Sequence, residues 1–388
     1  MLVLVVVLGA VVAFYVRVGA TTRLLDLEVY RAGGAAVFSG NALYQVTVSG
    51  YPFTYPPASA LLMFPVAHLP TTSAHVIWTL STLVCLWFVV VLCLRRYGTS
   101  SSAGRFPLQL ATFIVVAVSD PLWTGLHLGQ INVFVFLLVV LDLTGTWPRI
   151  PRGVLIGVAA AIKLTPLFLV IYLLVVGRNR DAVRALATFV VVGGLAFVAT
   201  PAASASYWFS GGMVDLGNFG LPYVSNQSLH GVTARLVGDT TAGRTAWIVL
   251  SVLTAAAVLF TVRRIVGKRP WLAEAMALAT IVLISPVSWI HHWIFVLPLV
   301  VAGFRMGFAP HGRWTLGLTI ALALALIARP IWWVRLTYHE SWPRMLLADS
   351  DVALLLMLLG VLVVQTSAWR PRGATGVARP PGGPQFTG

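Results

Sequence analysis

Uninterrupted apolar runs close to 20 residues long recur from one end of this chain to the other, and no other feature restricts its fold so tightly. A helix of about 20 residues crosses the roughly 30 Å hydrocarbon core of a bilayer. Backbone polar groups at that depth must be satisfied inside the protein, which leaves helices or a closed barrel. Barrel strands would alternate apolar and polar residues. Runs such as Leu86-Trp87-Phe88-Val89-Val90-Val91-Leu92 do not alternate. With 59% hydrophobic residues and a mean hydropathy of +0.90, the expected class is all-α: a polytopic membrane protein with about ten to twelve transmembrane helices.

The spans read as 1–16, 74–94, 108–126, 130–146, 153–176, 182–200, 246–265, 272–287, 291–305, 314–330 and 350–367. The first is short for a bilayer and lacks a basic leader, so it reads as a genuine helix whose cytoplasmic beginning is missing, not as a signal peptide. The net charge of +15 suggests nucleic acid until its carriers are placed. Most lie in short loops, at Arg95/Arg96/Arg105, Arg149/Arg152, Arg178/Arg180/Arg184, Arg263/Arg264/Lys268/Arg269, Arg305/Arg313 and Arg370/Arg372/Arg379. Positive-inside sorting puts these in the cytoplasm and the longer loops 17–73, 201–245 and 331–349, with fewer basic residues, outside. No basic patch with interleaved aromatics lies on a soluble segment, so nucleic acid is not an expected partner. Cys85 and Cys93 sit on one helix roughly 12 Å apart along its axis, too far for a disulfide.

Segment 153–176 has basic loops on both flanks, with Lys163-Leu164-Thr165-Pro166 at its middle. Proline breaks the helix ladder and a lysine charge is expensive at mid-membrane. Two short helices with Lys163 near their turn resolve both conflicts. The Pro-, Gly- and Arg-rich stretch 368–388 lacks an apolar face and is expected to be a disordered tail, leaving 1–367 as one membrane domain.

Only 11 of the 388 residues are acidic, so a carboxylate pair where a helix meets water is a scarce resource. Leu25-Asp26-Leu27-Glu28-Val29-Tyr30 follows the first apolar run and suits a short interfacial helix. Asp26 and Glu28 are about 200° apart on such a helix, so one faces a cavity and the other meets solvent or Arg31. Asp26 reads as a base or as a helix cap. Tyr51-Pro52-Phe53-Thr54-Tyr55-Pro56-Pro57 is an interfacial anchor or a groove wall. In His127-Leu128-Gly129-Gln130-Ile131-Asn132 the polar groups cap helix ends or hold sugar hydroxyls. Ser225-Asn226-Gln227-Ser228-Leu229-His230-Gly231 is similarly polar, and contains a three-residue glycosylation sequon. Ser285-Pro286-Val287-Ser288-Trp289-Ile290-His291-His292-Trp293 interrupts two apolar runs. Its adjacent histidines diverge by about 100° and make a poor metal pair, leaving an interfacial role or a phosphate or hydroxyl contact. Asp349-Ser350-Asp351 spells DxD but opens a helix, where acids stabilise the N-terminus. No P-loop, GxGxxG, GxSxG or HExxH occurs, so nucleotide binding and hydrolase chemistry lack their usual footing.

Taken in order, Asp26-Leu27-Glu28-Val29-Tyr30 with Gly40 and Leu43-Tyr44, Tyr55-Pro56-Pro57, Gly129-Gln130-Ile131-Asn132, Ala159-Ala160-Ala161-Ile162-Lys163-Leu164-Thr165-Pro166, Ser225 to Gly231 and Ser285 to His292 resemble the GT-C membrane glycosyltransferases of glycosyltransferase family 87. The resemblance implies a GT-C type helical bundle with a large first extracytoplasmic loop. It implies inverting transfer of mannose, in α-1,2 linkage, from a polyprenyl-phosphate donor to a glycolipid or lipoglycan of the cell envelope. An arabinofuranosyltransferase of the same family is the nearest alternative; a transporter or flippase, or a structural membrane partner, is the alternative of another class. Asp26 matches the family's catalytic base. Glu28, Tyr30, Tyr55, His127, Gln130, Asn132, Lys163, Asn226, His230, His291 and His292 are expected to meet substrate, with Lys163 or the histidine pair near the donor phosphate. No metal or cofactor is expected. The implied location is the cell membrane, with the active site facing outward.

Overall fold

The computed structural model describes residues 1–39, 43–99, 106–210, 220–334 and 342–367. Gly40, Arg105, Arg335 and the expected disordered tail 368–388 with Arg370, Arg372 and Arg379 lie outside them.

The chain is a helical bundle whose only described sheet is a two-stranded hairpin, β1 (Thr47–Val48) and β2 (Tyr51–Pro52). Five helices are long and apolar enough to cross a bilayer. Four are α1 (Leu2–Thr21), α4 (Thr71–Tyr97), α10 (Asn179–Ala199) and α13 (Thr241–Ile265); the fifth is the segment Ile290–Gly307. A bent pair, α5 (Phe106–Val118) and α6 (Asp120–Leu128), would form a sixth crossing with a 64° break. Further helices are shorter, among them α3 (Pro57–Ala67), α7 (Asn132–Thr144), α11 (Pro201–Phe209), α14 (Pro270–Ile284), α16 (Arg313–Ala328), α17 (Trp342–Ala348) and α18 (Ser350–Ser367). The expected all-α polytopic bundle is built, among the described residues, from five or six long crossings together with several short or broken helices. Proline and polar residues cause the breaks. Ser119-Asp120-Pro121 divides the expected 108–126 span, and the expected 291–305 span begins as a 3-10 segment, Ile290–Val296, before α15 (Leu297–Gly307). The first helix is longer than the expected 1–16, running through Arg17 to Thr21.

Segment 153–176 is two short helices, α8 (Val154–Ile162) and α9 (Phe168–Val175), joined by Lys163 and a 3-10 turn at Thr165–Leu167. Gly153 packs on the Asp181 carbonyl and the Ala185 amide at the start of α10. Helix α9 ends at Val175 and leads into α10 at Asn179. The pair therefore enters and leaves at one end, as a hairpin with Lys163 at its turn. Asp142 fixes its entry by accepting hydrogen bonds from the amides of Gly153, Leu155 and Ile156 at 2.8–3.2 Å. Those are N–H groups that a helix start cannot pair internally.

The interfacial helix α2 (Leu25–Ala36) crosses α3 closely because Gly33 and Gly34 remove the side chains between them. A Cβ on Gly34 would lie 2.7 Å from the Met63 carbonyl group. Arg31 ties α2 to the α3–α4 turn, donating to the carbonyls of Leu69 at 2.6 Å and Val66 at 3.3 Å.

Charge sorts along α4. At its start, His75 meets Glu28 of α2. At its end, Arg96 makes a bidentate pair with buried Glu274, at 2.6 and 2.8 Å, and Arg305 donates to the Gly98 carbonyl. His75 and Arg96 are roughly 30 Å apart along that helix. Cys85 and Cys93 are both free.

Candidate active site

Three interruptions converge near the start of α2: the α6–α7 turn, the α8–α9 turn and the segment 285–292. Gly129 closes α6 at φ 71°, a left-handed conformation suited to glycine. A Cβ there would lie 2.7 Å from that of Leu27 and 3.0 Å from that of Leu24. This close approach brings the next residue, Gln130, onto α2, where its amide donates to an Asp26 carboxylate oxygen. The Tyr55 hydroxyl reaches the Gln130 side-chain carbonyl at 3.5 Å and the Tyr30 hydroxyl at 2.9 Å.

Behind this set, the Lys163 ammonium donates to the Asn132 side-chain oxygen at 2.6 Å and to His292 Nε2 at 2.9 Å. It also lies 5.3 Å from the centre of the Tyr55 ring. Asn132 donates in turn to the His291 carbonyl at 3.0 Å. The His291 ring nitrogens make no hydrogen bond among the described residues, and the residue lines the cavity beside Asp26. That cavity holds about 400 Å³ and is also walled by Tyr30, Tyr55, Gln130, Ser225, Trp289 and Trp332.

Burial pushes the Asp26 carboxyl up to about 6, while the Gln130 hydrogen bond and the Lys163 charge pull the other way. Burial likewise raises the phenols of Tyr30 and Tyr55, and the nearby Asp26 charge adds to it. Both therefore stay protonated as hydroxyl donors. At neutral pH the site presents an ionised, basic carboxylate beside neutral hydroxyl and amide groups. Such a group can take a proton from an incoming hydroxyl.

The two acids of α2 diverge as their spacing requires. Glu28 points away from the cavity, to Arg31 at 2.8 Å and His75 at 2.6 Å. Burial raises its carboxyl, but the hydrogen bonds from Arg31 and His75 outweigh it and hold the group below its usual range. Its partners sit at the junction of α2 and α4, outside the cavity that Asp26 lines.

Three other expected contacts also fall outside the cavity. His127 turns to the opposite face of α6, hydrogen-bonds the Trp123 carbonyl at 2.7 Å and packs on the Trp123 ring. Asn226 is fully buried; it donates to the Leu221 carbonyl and accepts from Ser228 and from the Ser288 amide, stapling two loops together. A side chain so enclosed is no glycosylation acceptor in the folded protein. His230 lies in α12 (Leu229–Val237), stacked on Trp247 with ring centres 4.2 Å apart. Asp26, Tyr30, Tyr55, Gln130, Asn132, Lys163, His291 and His292 are brought together.

Trp289, Tyr223 and Trp332 line the cavity without a sequence signal of their own. Trp289 falls within the polar segment 285–293. Trp332 has no signal beyond its place beside an outer loop. Among the described residues no three His, Cys, Asp or Glu side chains group to hold a metal ion.

The model of glycosyltransferase family 87 matches residues 53–286, more than half of the chain. The chain belongs to that family. Among its relatives is a Mycobacterium tuberculosis protein named polyprenol-phosphate-mannose-dependent alpha-(1-2)-phosphatidylinositol mannoside mannosyltransferase. It is 32% identical over 302 residues, covering 73% of this chain and 70% of the relative. A Mycobacterium tuberculosis relative named for the pentamannoside reaction is 28% identical, over 91% of this chain and 85% of its own length. A Mycolicibacterium smegmatis relative with the first name is 30% identical, over 79% of this chain and 76% of its own. No solved structure matches the chain. The family 87 protein described here is a multi-pass membrane glycosyltransferase.

Proposed function

We propose that this family 87 enzyme transfers mannose from a polyprenyl-phosphate donor to a hydroxyl of a glycolipid, with inversion and in α-1,2 linkage, and that Asp26 is the general base. The observation that carries the reading is the Asp26 carboxylate, held by Gln130 at the wall of a cavity beside the Lys163, Asn132, His291 and His292 cluster. The relatives' names supply donor, sugar and linkage.

In the step, the acceptor oxygen attacks the anomeric carbon from the face opposite the phosphate. The carbon–phosphate oxygen bond breaks, and its electron pair leaves with polyprenyl phosphate. The acceptor proton passes to Asp26. An α product formed by inversion requires a β-linked donor. Positioned base catalysis of this kind contributes about 10²–10⁴-fold. In this reading His291, on the cavity wall, meets the departing phosphate, and the Lys163 charge supports it from behind, held by Asn132 and His292; preorganised charges and donors act most strongly there. Tyr30 and Tyr55 supply hydroxyls for the sugar. A phosphate leaves readily without a strong acid, so one working carboxylate suffices.

The arginines at the far end of α4 support an outward-facing site, since basic loops stay in the cytoplasm. Membranes containing the full chain are incubated with labelled polyprenyl-phosphate-mannose and, separately, polyprenyl-phosphate-arabinose, and the new linkage is mapped. Mannose in α-1,2 linkage is the expected product. Transfer of arabinose alone would overturn the reading.

A further inference from the structure

Helix α6 lies between two adjoining cavities. Thr124 and Leu128 line both the Asp26 cavity and a second, more open one of about 500 Å³, which Asp120, Trp123 and His127 also line. Trp332 borders both as well and, with Thr124 and Leu128, forms the partition. Its position is fixed, because its indole N–H donates to the Asp120 carboxylate at 2.7 Å, while Thr124 donates to the other carboxylate oxygen at 2.9 Å.

The far wall is Arg329 and Trp333. Arg329 sits 4.4 Å over the Trp123 ring and donates from Nη2 to the Val118 carbonyl at 2.9 Å. Among the described residues no other hydrogen bond engages its guanidinium. Its backbone is left-handed, at φ 59°. That conformation costs a side-chain-bearing residue about 1–2 kcal/mol, and here it holds a cation at the cavity wall. Trp333 is 67% exposed, a large indole facing open space.

Flat indoles with a guanidinium suit a sugar ring that carries an anionic group nearby: apolar C–H faces lie on aromatic rings, and arginine pairs with phosphate. We propose that this second cavity is the acceptor subsite, taking the phosphodiester-linked glycan head group of a glycolipid. Its sugar rests on Trp332 and Trp333, its phosphate meets Arg329, and the reacting hydroxyl reaches Asp26 past Trp332. The inference rests on the mannosyl-transfer reading. It separates the two substrates physically, with donor phosphate on the His291 side and acceptor phosphate at Arg329, on opposite sides of the partition.

The test uses the full chain in lipid nanodiscs with labelled polyprenyl-phosphate-mannose and two acceptors, a phosphoinositol mannolipid and a neutral alkyl mannoside. Arg329→Gln should raise KM for the phosphoinositol acceptor about tenfold or more, as expected for a lost charged hydrogen bond. Its donor KM and its transfer to the alkyl mannoside should match the wild type. Trp333→Ala, at an exposed position that the fold tolerates, should raise the phosphoinositol acceptor KM about threefold to tenfold. A rise in donor KM with acceptor KM unchanged would assign the cavity to the prenyl carrier and overturn the proposal. So would wild-type values for both variants. Absence of mannose transfer by the wild type to either acceptor would remove the underlying reading as well.

Discussion

Gln130→Leu isolates the electrostatics of the base. In the wild type, burial sets the Asp26 carboxyl near 6 against the opposing effects of the Gln130 amide and Lys163. Leucine keeps the approximate volume and removes the one side-chain donor on the carboxylate among the described residues. A hydrogen bond to an ionised group is worth about 1.5–3 kcal/mol, and each pH unit corresponds to 1.36 kcal/mol. The acid limb of the kcat/KM profile should therefore move up by about one to two pH units. At pH 7 the wild-type carboxylate is about nine-tenths ionised, whereas the variant's would be about one-tenth to one-half ionised. The expected loss at pH 7 is about twofold to tenfold, recovered above pH 9 as the carboxylate ionises. The sign follows from the chemistry: a base works only when deprotonated, so activity falls as pH drops through its pKa. Steady-state transfer from labelled donor between pH 5 and 9.5, in nanodiscs, measures the limb. An equal loss at every pH, or a limb that stays near 6, would refute the claim that Gln130 tunes the ionisation of a base.

Asp26→Asn keeps the shape but not the basicity; transfer should fall by about 10²–10⁴-fold with donor binding retained, and wild-type turnover would exclude the base role. Glu28→Gln should leave kcat within about twofold while lowering the melting temperature, because it weakens a junction worth about 1–3 kcal/mol; equal loss of turnover in both variants would show that both carboxylates act. Gly129→Ala should lower kcat at least about tenfold by displacing Gln130, since its Cβ would crowd Leu27 and Leu24. Gly9→Ala, which meets nothing within 4 Å, should be indistinguishable from wild type in the same assay.

What the sequence disclosed was local. The angular step between Asp26 and Glu28 separates their roles before any fold is known, and Glu28 does turn to Arg31. Flanking arginines and Pro166 were enough to expect the α8–α9 hairpin with Lys163 at its turn. What stayed hidden were pairings across long stretches of chain. Gln130 meets Asp26 from 104 residues away, and nothing in either segment announces the other. Asn226 and His230 sit in a polar run that suits a sugar site as well as it suits a buried staple, and only packing distinguishes them. The broken 108–126 and 291–305 spans look continuous by hydropathy, because Ser119, Asp120 and Pro121 in the one, and His291 and His292 in the other, barely lower the average. Arg329 and Trp332 form no motif; their meaning arises from the neighbouring face of α6.

The half-length hairpin has a consequence for how substrate reaches the protein. Each of its arms rises only about 14 Å or less, so the lysine at its tip stands partway into the thickness of the bilayer instead of at its edge. Its charge is met inside the protein, by the Asn132 side-chain oxygen and His292 Nε2, so the turn needs no water of its own at that depth. Under the proposed reaction, a long isoprenoid would bring its sugar to this level sideways, with its tail still immersed among neighbouring chains.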